Sequence, residues 1–281
     1  MFIEVLKAFF LGIIEGITEW LPISSTGHMI IFNEFVKLNV SDDFWSMFEV
    51  VIQLGAILAV IVLFFKRLIP FGFGKTKPER VNTWKLWLKI IIACLPAAVI
   101  GILLDDWLDA HLYNYVVVAA TLIIYGVLFI VIERLHKNKK YKINSAEDFT
   151  CGTALKVGLF QLLSLIPGTS RSGSTILGGM SVGVSRTGAA EFSFFLAIPV
   201  MVGASLLKVY KYVKAFGLAF SSLELTVLIV GTVTAFVVSL IAIKFLMNFV
   251  RKHSFEAFGW YRIVLGAVVL GYFVIKQFVL A

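Results

Sequence analysis

Charged residues are scarce in this chain of 281 residues. They make up 15% of it, against roughly 25% in an ordinary globular domain, whereas 59% of the residues are hydrophobic. The mean hydropathy of +0.94 excludes a soluble globular protein. The apolar residues form long blocks and do not alternate with polar ones, which excludes a membrane-spanning barrel of β-strands. The composition therefore predicts an all-α integral membrane protein.

Cysteines are also few. Cys94 and Cys151 are far apart and lack the Cys-x-x-Cys or Cys/His spacing of a metal site, so the sequence indicates neither a disulfide framework nor a zinc site. The phosphate loop of nucleotide-binding proteins, G-x-x-x-x-G-K-[ST], does not occur in the sequence. The net charge of +8 is expected in cytoplasmic loops, because membrane proteins concentrate basic residues there. We therefore expect membrane lipids as neighbours and no nucleic-acid partner.

Uncharged stretches mark the expected membrane spans. Six of them are long enough to cross a bilayer with a flanking residue or two: 50–65, 90–104, 110–132, 192–207, 225–243 and 263–275. Four shorter apolar pieces form two pairs, each joined by a turn that contains proline and hydroxyl residues. These pieces cover residues 2–20, 24–36, 151–166 and 172–184. Because irregular backbone at membrane depth must be surrounded by protein or water, we predict two pairs of re-entrant half-helices.

Loop charges predict the orientation of these segments. Basic residues are concentrated after the first and third spans, whereas the loop expected between the second and third spans carries Asp105, Asp106 and Asp109 and no basic residue. Because basic loops stay in the cytoplasm, the aspartate loop is expected outside. The first pair of half-helices then has both ends outside, and the second pair has both ends inside. One outer segment, which contains Lys208, runs against the rule.

The two halves of the sequence resemble each other. Residues 12–31 align with residues 158–177, so that Ser24 matches Ser170 and Gly27 matches Gly173. This similarity predicts inverted repeats at about residues 1–132 and 133–281 within a single membrane domain, with the tips of the two hairpins meeting at one site.

The first hairpin carries two carboxylates and a run of hydroxyl residues. Glu15 and Glu19 are four residues apart, which puts them on one face of a helix. Such a pair can bind a divalent cation, share a proton for acid/base work, or pair with a buried basic residue. The residues at the start of the next half-helix can bind a phosphate, or they can simply cap that half-helix. These residues are Ser24, Ser25, Thr26, Gly27 and His28.

Two of these tip residues are candidates for chemistry. His28 is either a general acid/base or a structural histidine, and its position beside two glutamates and a serine favours the first role. A serine nucleophile with a histidine base is chemically feasible here.

The second hairpin supplies an arginine at its tip. Arg171 can grip phosphate oxygens in a bidentate fork, or it can pair with Glu15, Glu19, Glu49 or Glu191. The small polar residues that crowd it favour phosphate. They are Thr169, Ser170, Ser172, Gly173 and Ser174.

Three further polar residues, Glu49, Gln53 and Glu191, lie early in the spans that follow the hairpins and are interpreted as braces of the site. Together these groups fit phosphoryl chemistry on a lipid.

Residues 15–28, EGITEWLPISSTGH, and residues 167–173, PGTSRSG, resemble the two signature motifs of the bacterial undecaprenyl-diphosphate phosphatase family, also called the bacitracin-resistance protein family. The resemblance covers essentially the whole chain and includes residues 48–56 and 191–199. It implies an enzyme of the bacterial inner (plasma) membrane that removes the terminal phosphate of the C55 isoprenoid diphosphate carrier and returns the monophosphate to cell-wall synthesis. It also implies an inverted-repeat fold with re-entrant helices and a site open to the periplasmic side.

The same resemblance implies roles for individual residues. Glu15, Glu19, Ser25 and His28 match the catalytic positions of the family, and Arg171, Ser170 and Thr26 match its phosphate contacts. The activity is expected to depend on a divalent cation, Mg²⁺ or Ca²⁺, held near Glu15 and Glu19.

Several alternatives stay open at this point. A metal-held water can replace Ser25 as the attacking group. Inverted repeats with broken helices are also typical of transporters, so a flippase of polyprenyl phosphate is the rival function. The unrelated lipid phosphatases with an S-R-x5-H sequence are excluded, because Leu177 and Phe192 stand where that pattern needs histidine. A homodimer is a possible assembly.

Overall fold

Helices account for nearly all of the regular structure. The computed structural model describes residues 1–71, 74–137, 139–218 and 220–280. Short 3₁₀ helices cover Ala146–Asp148 and Leu162–Leu165. The α-helices of this part of the chain are α1 (Phe2–Thr18), α2 (Ser25–Phe35), α3 (Asp42–Val51), α4 (Gln53–Leu63), α5 (Phe65–Leu68), α6 (Lys77–Leu112), α7 (Tyr115–Leu135), α8 (Cys151–Gln161), α9 (Arg171–Ser181), α10 (Arg186–Phe216), α11 (Ser222–Lys252) and α12 (Glu256–Leu280).

Six helical segments of the described residues are long and apolar enough to cross a membrane. They are Asp42–Leu63, Lys77–Leu104, Tyr115–Leu135, Arg186–Phe216, Ser222–Lys252 and Glu256–Phe278. Each predicted span overlaps one of them, so the prediction of an all-α, multi-pass membrane protein is confirmed. The exposed leucine, isoleucine, valine and phenylalanine side chains along these helices are suited to contact with lipid.

The boundary between the second and third spans differs from the prediction. Helix α6 continues to Leu112, and α7 begins only at Tyr115, so the predicted start of the third span at residue 110 is wrong. The side chain of Asn114 accepts a hydrogen bond from the Val117 amide over 3.0 Å and starts α7 there. The segment predicted as an aspartate loop is therefore helical, although the side chains of Asp105 and Asp109 lie outside the described residues.

The four shorter apolar pieces of the sequence correspond to helices α1, α2, α8 and α9. Ser24 and Ser170, which the repeat alignment pairs, both adopt a left-handed φ of 71°. Each serine caps its helix, because its Oγ accepts from the amide of Gly27 over 3.2 Å or of Gly173 over 3.1 Å. The path of these four helices through a bilayer stays a prediction, and so does the inverted repeat of the two halves of the chain.

Close packing of glycines fixes the helices around the short pairs. A Cβ on Gly12 of α1 would lie 2.6 Å from the Gly231 carbonyl oxygen of α11. A Cβ on Gly55 of α4 would lie 2.1 Å from the Thr232 carbonyl oxygen of the same helix. Backbones can approach this closely only where side chains are missing. Helix α11 therefore holds α1, and with it the first hairpin, firmly in place.

Candidate active site

Glu19 is the point where the two hairpin tips touch. Its carboxylate accepts a hydrogen bond from Ser25 Oγ through Oε2 at 2.9 Å. Arg171 Nη2 donates to Oε1 of the same carboxylate at 2.8 Å, and both side chains of this ion pair are buried. Ser172 Oγ also lies 3.2 Å from the Glu19 carbonyl oxygen. One carboxylate therefore joins a serine hydroxyl of the first tip to a guanidinium of the second.

Arg171 is held by protein groups in this structure. Besides Glu19, its Nη1 donates to the carbonyl oxygen of Ser193 over 2.7 Å and to Ser193 Oγ over 3.1 Å. The guanidinium also lies 5.7 Å from the ring centroid of Trp20, a cation–π distance. Glu19 is thus the partner of Arg171 among the alternatives that the sequence left open, and the contact of Arg171 with phosphate stays a prediction.

A polar pocket of about 190 Å³ lies beside Ser25. Its lining includes Thr26, Met29, Val50, Gln53, Tyr113 and Lys208 as well as Ser25, Glu15 and Glu49. Glu15 is only 1% exposed, and its Oε1 has no hydrogen-bond partner among the described residues. The Tyr113 hydroxyl donates to Glu49 Oε1 over 2.9 Å. A phosphate group that enters this pocket comes next to the Ser25 hydroxyl.

The pocket offers oxygen ligands for a divalent cation. Glu15 and Glu49 both line the pocket, whereas Glu19, whose oxygens accept from Ser25 and Arg171, is not among the lining residues. Within the described residues no group of three or more His, Cys, Asp or Glu side chains can hold a metal ion. Mg²⁺ is often bound by one or two carboxylates together with substrate phosphates. The unpartnered Glu15 oxygen fits a cation whose remaining ligands come from the substrate.

His28 has both ring nitrogens in hydrogen-bond contact with other groups. Nδ1 lies 2.7 Å from the Ser24 carbonyl oxygen, and Nε2 lies 2.7 Å from the Tyr261 hydroxyl. The two rings are stacked, with 5.6 Å between their centroids. Because a carbonyl only accepts, Nδ1 carries the proton. The acid/base role of His28 stays a prediction, and the group that touches the Ser25 hydroxyl is Glu19.

The remaining residues of the second tip bond inward. Ser174 Oγ donates to the Arg171 carbonyl oxygen over 3.0 Å, and Thr169 is fully buried. The predicted brace Glu191 differs from expectation, because its two oxygens accept from Arg67 Nη1 and Nη2 over 3.0 Å each. Glu191 therefore pairs with Arg67, which follows the first span, and not with the other predicted site residues. Glu49 and Gln53, in contrast, line the pocket.

Sequence reasoning missed Arg262, which is 0% exposed on α12. Its Nη1 donates to the Pro22 carbonyl oxygen over 3.1 Å, and its Nη2 donates to those of Gly168 and Thr169 over 2.9 Å each. The available signal was a charged residue directly before the last uncharged stretch, since ionisable groups at membrane depth usually have a function. Lys208 was noted only for breaking the charge rule of the loops, yet it lines the pocket.

The left-handed backbone of Ser24 and Ser170 is strained. A residue other than glycine at such a φ costs about 1–3 kcal/mol and persists only where its surroundings hold it. The next residues along the chain are Ser25 and Arg171, the two that bond Glu19. The strained turns therefore place the side chains of Ser25 and Arg171 within hydrogen-bond distance of Glu19.

A serine that is hydrogen-bonded to a carboxylate, beside a polar pocket in a helical membrane protein, is typical of an integral membrane hydrolase.

The chain is similar over nearly its whole length to proteins of one family. The family model described as bacitracin resistance protein BacA matches residues 8–268, and the chain belongs to this family. The chain is 58% identical over 272 residues to an undecaprenyl-diphosphatase of Enterococcus faecalis, with 97% of this chain and 98% of the relative covered. It is 57% identical over 274 residues to undecaprenyl-diphosphatase 1 of Clostridium acetobutylicum, with 97% and 98% covered. The family resemblance seen in the two motifs is confirmed.

Proposed function

We propose that this protein is a membrane phosphatase that hydrolyses undecaprenyl diphosphate to undecaprenyl phosphate and inorganic phosphate. This reaction recycles the lipid carrier for cell-wall synthesis and confers resistance to bacitracin. The names of the relatives support the substrate. The hydrogen bond from Ser25 Oγ to Glu19 Oε2, beside the polar pocket, is the observation that carries the proposal.

Ser25 is the nucleophile of the proposed reaction. Glu19 takes the hydroxyl proton while Oγ attacks the terminal phosphorus, and the bond to the bridging oxygen breaks, so that undecaprenyl phosphate leaves. Glu19 passes this proton to the undecaprenyl phosphate that leaves, which restores the carboxylate. It then takes a proton from the water that attacks the phosphoserine and returns it to Ser25 Oγ as the P–O bond breaks and inorganic phosphate leaves. Arg171 holds Glu19 through Oε1, which leaves Oε2 directed at Ser25.

The acidic pocket needs positive charge before it accepts a diphosphate. Glu15, Glu49 and Gln53 would hold a divalent cation, Mg²⁺ or Ca²⁺, which neutralises phosphate oxygens when bound. Lys208 adds a basic side chain to the same lining. The half-helix α2 starts beside the pocket, and the positive end of its dipole favours the phosphate further.

The proposed location is the bacterial plasma membrane, with the pocket open to the outer side. Two of the lining residues support this orientation. Tyr113 follows directly after α6, close to the aspartates that the loop charges assign to the outside. Lys208 belongs to the segment that the same topology assigns to the outside. A re-entrant course of both hairpins, which the sequence predicts, would fit a site reached from that face.

The test is release of inorganic phosphate from undecaprenyl diphosphate by the purified protein, with Mg²⁺ or Ca²⁺ present. Ser25→Ala is expected to lower kcat about a thousandfold or more, and a rapidly quenched wild-type reaction is expected to contain phosphoserine at position 25. Ser164→Ala is the matched control, because Ser164 Oγ donates to the Gln161 carbonyl oxygen outside the pocket.

The other outcomes favour the alternatives. Full turnover by Ser25→Ala would favour a water nucleophile. Absence of phosphate release by the wild-type protein would overturn the phosphatase and favour a flippase.

A further inference from the structure

Arg262 carries a charge that no acidic side chain balances within the described residues. It lies inside the span Glu256–Phe278, and its side chain is among the largest that are fully buried. The described ion pairs leave Arg262 out, and its hydrogen bonds go to backbone carbonyl oxygens. The ring of Tyr125 lies 5.5 Å from the guanidinium carbon and adds a cation–π contact. A buried charge of this kind is costly, which points to a specific task.

The carbonyl partners of Arg262 come from both hairpin turns. Pro22 belongs to the turn between α1 and α2, whereas Gly168 and Thr169 belong to the turn before α9. The planar guanidinium bonds the first turn through Nη1 and the second through Nη2. A lysine ammonium is a compact point charge and does not reproduce this fork.

The bonded carbonyls lie one or two residues before the strained serines. Pro22 is two residues before Ser24, and Thr169 is the residue before Ser170. Strained backbone persists where several contacts hold it, and Arg262 supplies such contacts to both turns. Ser25 and Arg171 follow the two serines and meet at Glu19.

The residue next to Arg262 contacts the same region. Tyr261 places its hydroxyl 2.7 Å from Nε2 of His28, which lies on the first turn of α2. Two successive residues of α12 therefore contact the first tip, Arg262 at the turn and Tyr261 at the start of α2. Arg262 also contacts the second tip.

We propose that Arg262 is a positioning residue of the phosphatase, which holds the two turns in register so that Ser25 and Arg171 reach Glu19. The inference rests on the proposed function. Arg262 is not part of the pocket lining, so it acts through the turns and not on the substrate. A shift of about 1 Å between reacting groups lowers rates by about a hundredfold, so small movements of the turns affect kcat more than substrate binding.

The first experiment compares Arg262→Lys with Arg186→Lys. Arg186 is a suitable control because it pairs with the buried Glu133, and its hydrogen bonds among the described residues do not reach either turn. Arg262→Lys is expected to lower kcat about 10- to 100-fold with KM within about threefold of wild type. Arg186→Lys is expected to lower the unfolding temperature while kcat stays within about twofold. Wild-type kcat in Arg262→Lys would overturn the proposal.

A double-variant cycle separates positioning from general stability. Glu19→Gln already removes the base that Arg262 helps to align. Adding Arg262→Lys to Glu19→Gln is therefore expected to lower kcat less than about threefold further. Full additivity of the two losses would show that Arg262 acts independently of the Glu19–Ser25 contact, and would overturn the proposal.

Hydrogen–deuterium exchange tests the same idea without activity. In Arg262→Lys, the segments 19–28 and 166–174 are both expected to exchange at least about tenfold faster, whereas Arg186→Lys leaves them unchanged. Unchanged exchange in either segment would overturn the proposal. Faster exchange in both segments of a protein whose wild type releases no phosphate would refute the phosphatase function and retain the structural link between the turns.

Discussion

Replacing Glu19 by glutamine removes the proposed base while keeping the shape of the site. The amide oxygen of the substituted side chain can accept the hydrogen bond that Arg171 Nη2 now makes at 2.8 Å. The amide nitrogen can then face Ser25 Oγ, which lies 2.9 Å from the carboxylate. An amide cannot take the hydroxyl proton, so the substitution separates the chemistry of Glu19 from its packing.

Glu19→Gln affects both stability and rate. Neutralising one partner of a buried ion pair costs about 3–5 kcal/mol when the other charge is left uncompensated, and Arg171 is buried here. The amide oxygen can still accept from Arg171, so the loss of stability is expected at the lower end of this range. Arg171 also keeps its bonds to Ser193, which limits the loss. General base catalysis contributes about 10²–10⁴ in rate, or about 2.7–5.4 kcal/mol of barrier. The variant is therefore expected to stay folded and to lose about 10²–10⁴ in kcat.

The assay is steady-state phosphate release, measured together with thermal unfolding. Glu133→Gln is the matched control, because Glu133 is a buried glutamate that accepts from Arg186 Nε at 2.8 Å and from the Phe255 amide at 2.8 Å. We expect a similar drop in unfolding temperature for both variants and unchanged kcat for Glu133→Gln. If Glu19→Gln keeps more than about a tenth of wild-type kcat, Glu19 is not the base.

Three further predictions concern packing, binding and pH. Gly55→Ala places a Cβ 2.1 Å from a carbonyl oxygen of α11 and is expected to lower the unfolding temperature, whereas Gly203→Ala, with no atom within 4 Å, leaves it unchanged or raises it. Lys208→Met is expected to raise KM about tenfold in steady-state kinetics and to change kcat less, since it removes the basic side chain of the pocket lining. Burial opposes ionisation of Glu147, but the hydrogen bonds and charge of Arg67 outweigh it and lower the pKa of this carboxyl below 4.5. Its stabilising effect is complete above pH 4.5 and is lost as the pH falls through the lowered pKa, so acidification from about pH 6 to about pH 4 should lower the unfolding temperature of Glu147→Gln less than that of wild type.

Hydropathy located the spanning helices because apolar runs of this length have few other uses. Hydropathy failed at the end of α6. The charged residues there predict the end of the second span, but the helix continues through them to Leu112. The break depends on the Asn114 cap, a local hydrogen bond that outweighs the average hydropathy of the window.

The candidate site was predictable where residues are close in sequence. The spacing of Glu15 and Glu19, and the hydroxyls that follow them, indicated a polar cluster at the first tip, and Glu15, Ser25 and Thr26 line one pocket. The sequence left four acidic partners open for Arg171 and indicated none for Arg262, because the bonds that the structure shows join residues 152 and 240 positions apart. Contacts at such separations depend on tertiary packing and leave no local periodicity in the sequence.

The left-handed serines at positions 24 and 170 set stability against activity. Glycine adopts this backbone without strain, so a search for thermostable variants would be drawn to Ser24→Gly and Ser170→Gly. Each change would also remove the Oγ that caps the following half-helix. Directed evolution for heat resistance alone should therefore tend to relax these turns and yield robust but slow enzymes, whereas selection for bacitracin resistance should retain the strained residues.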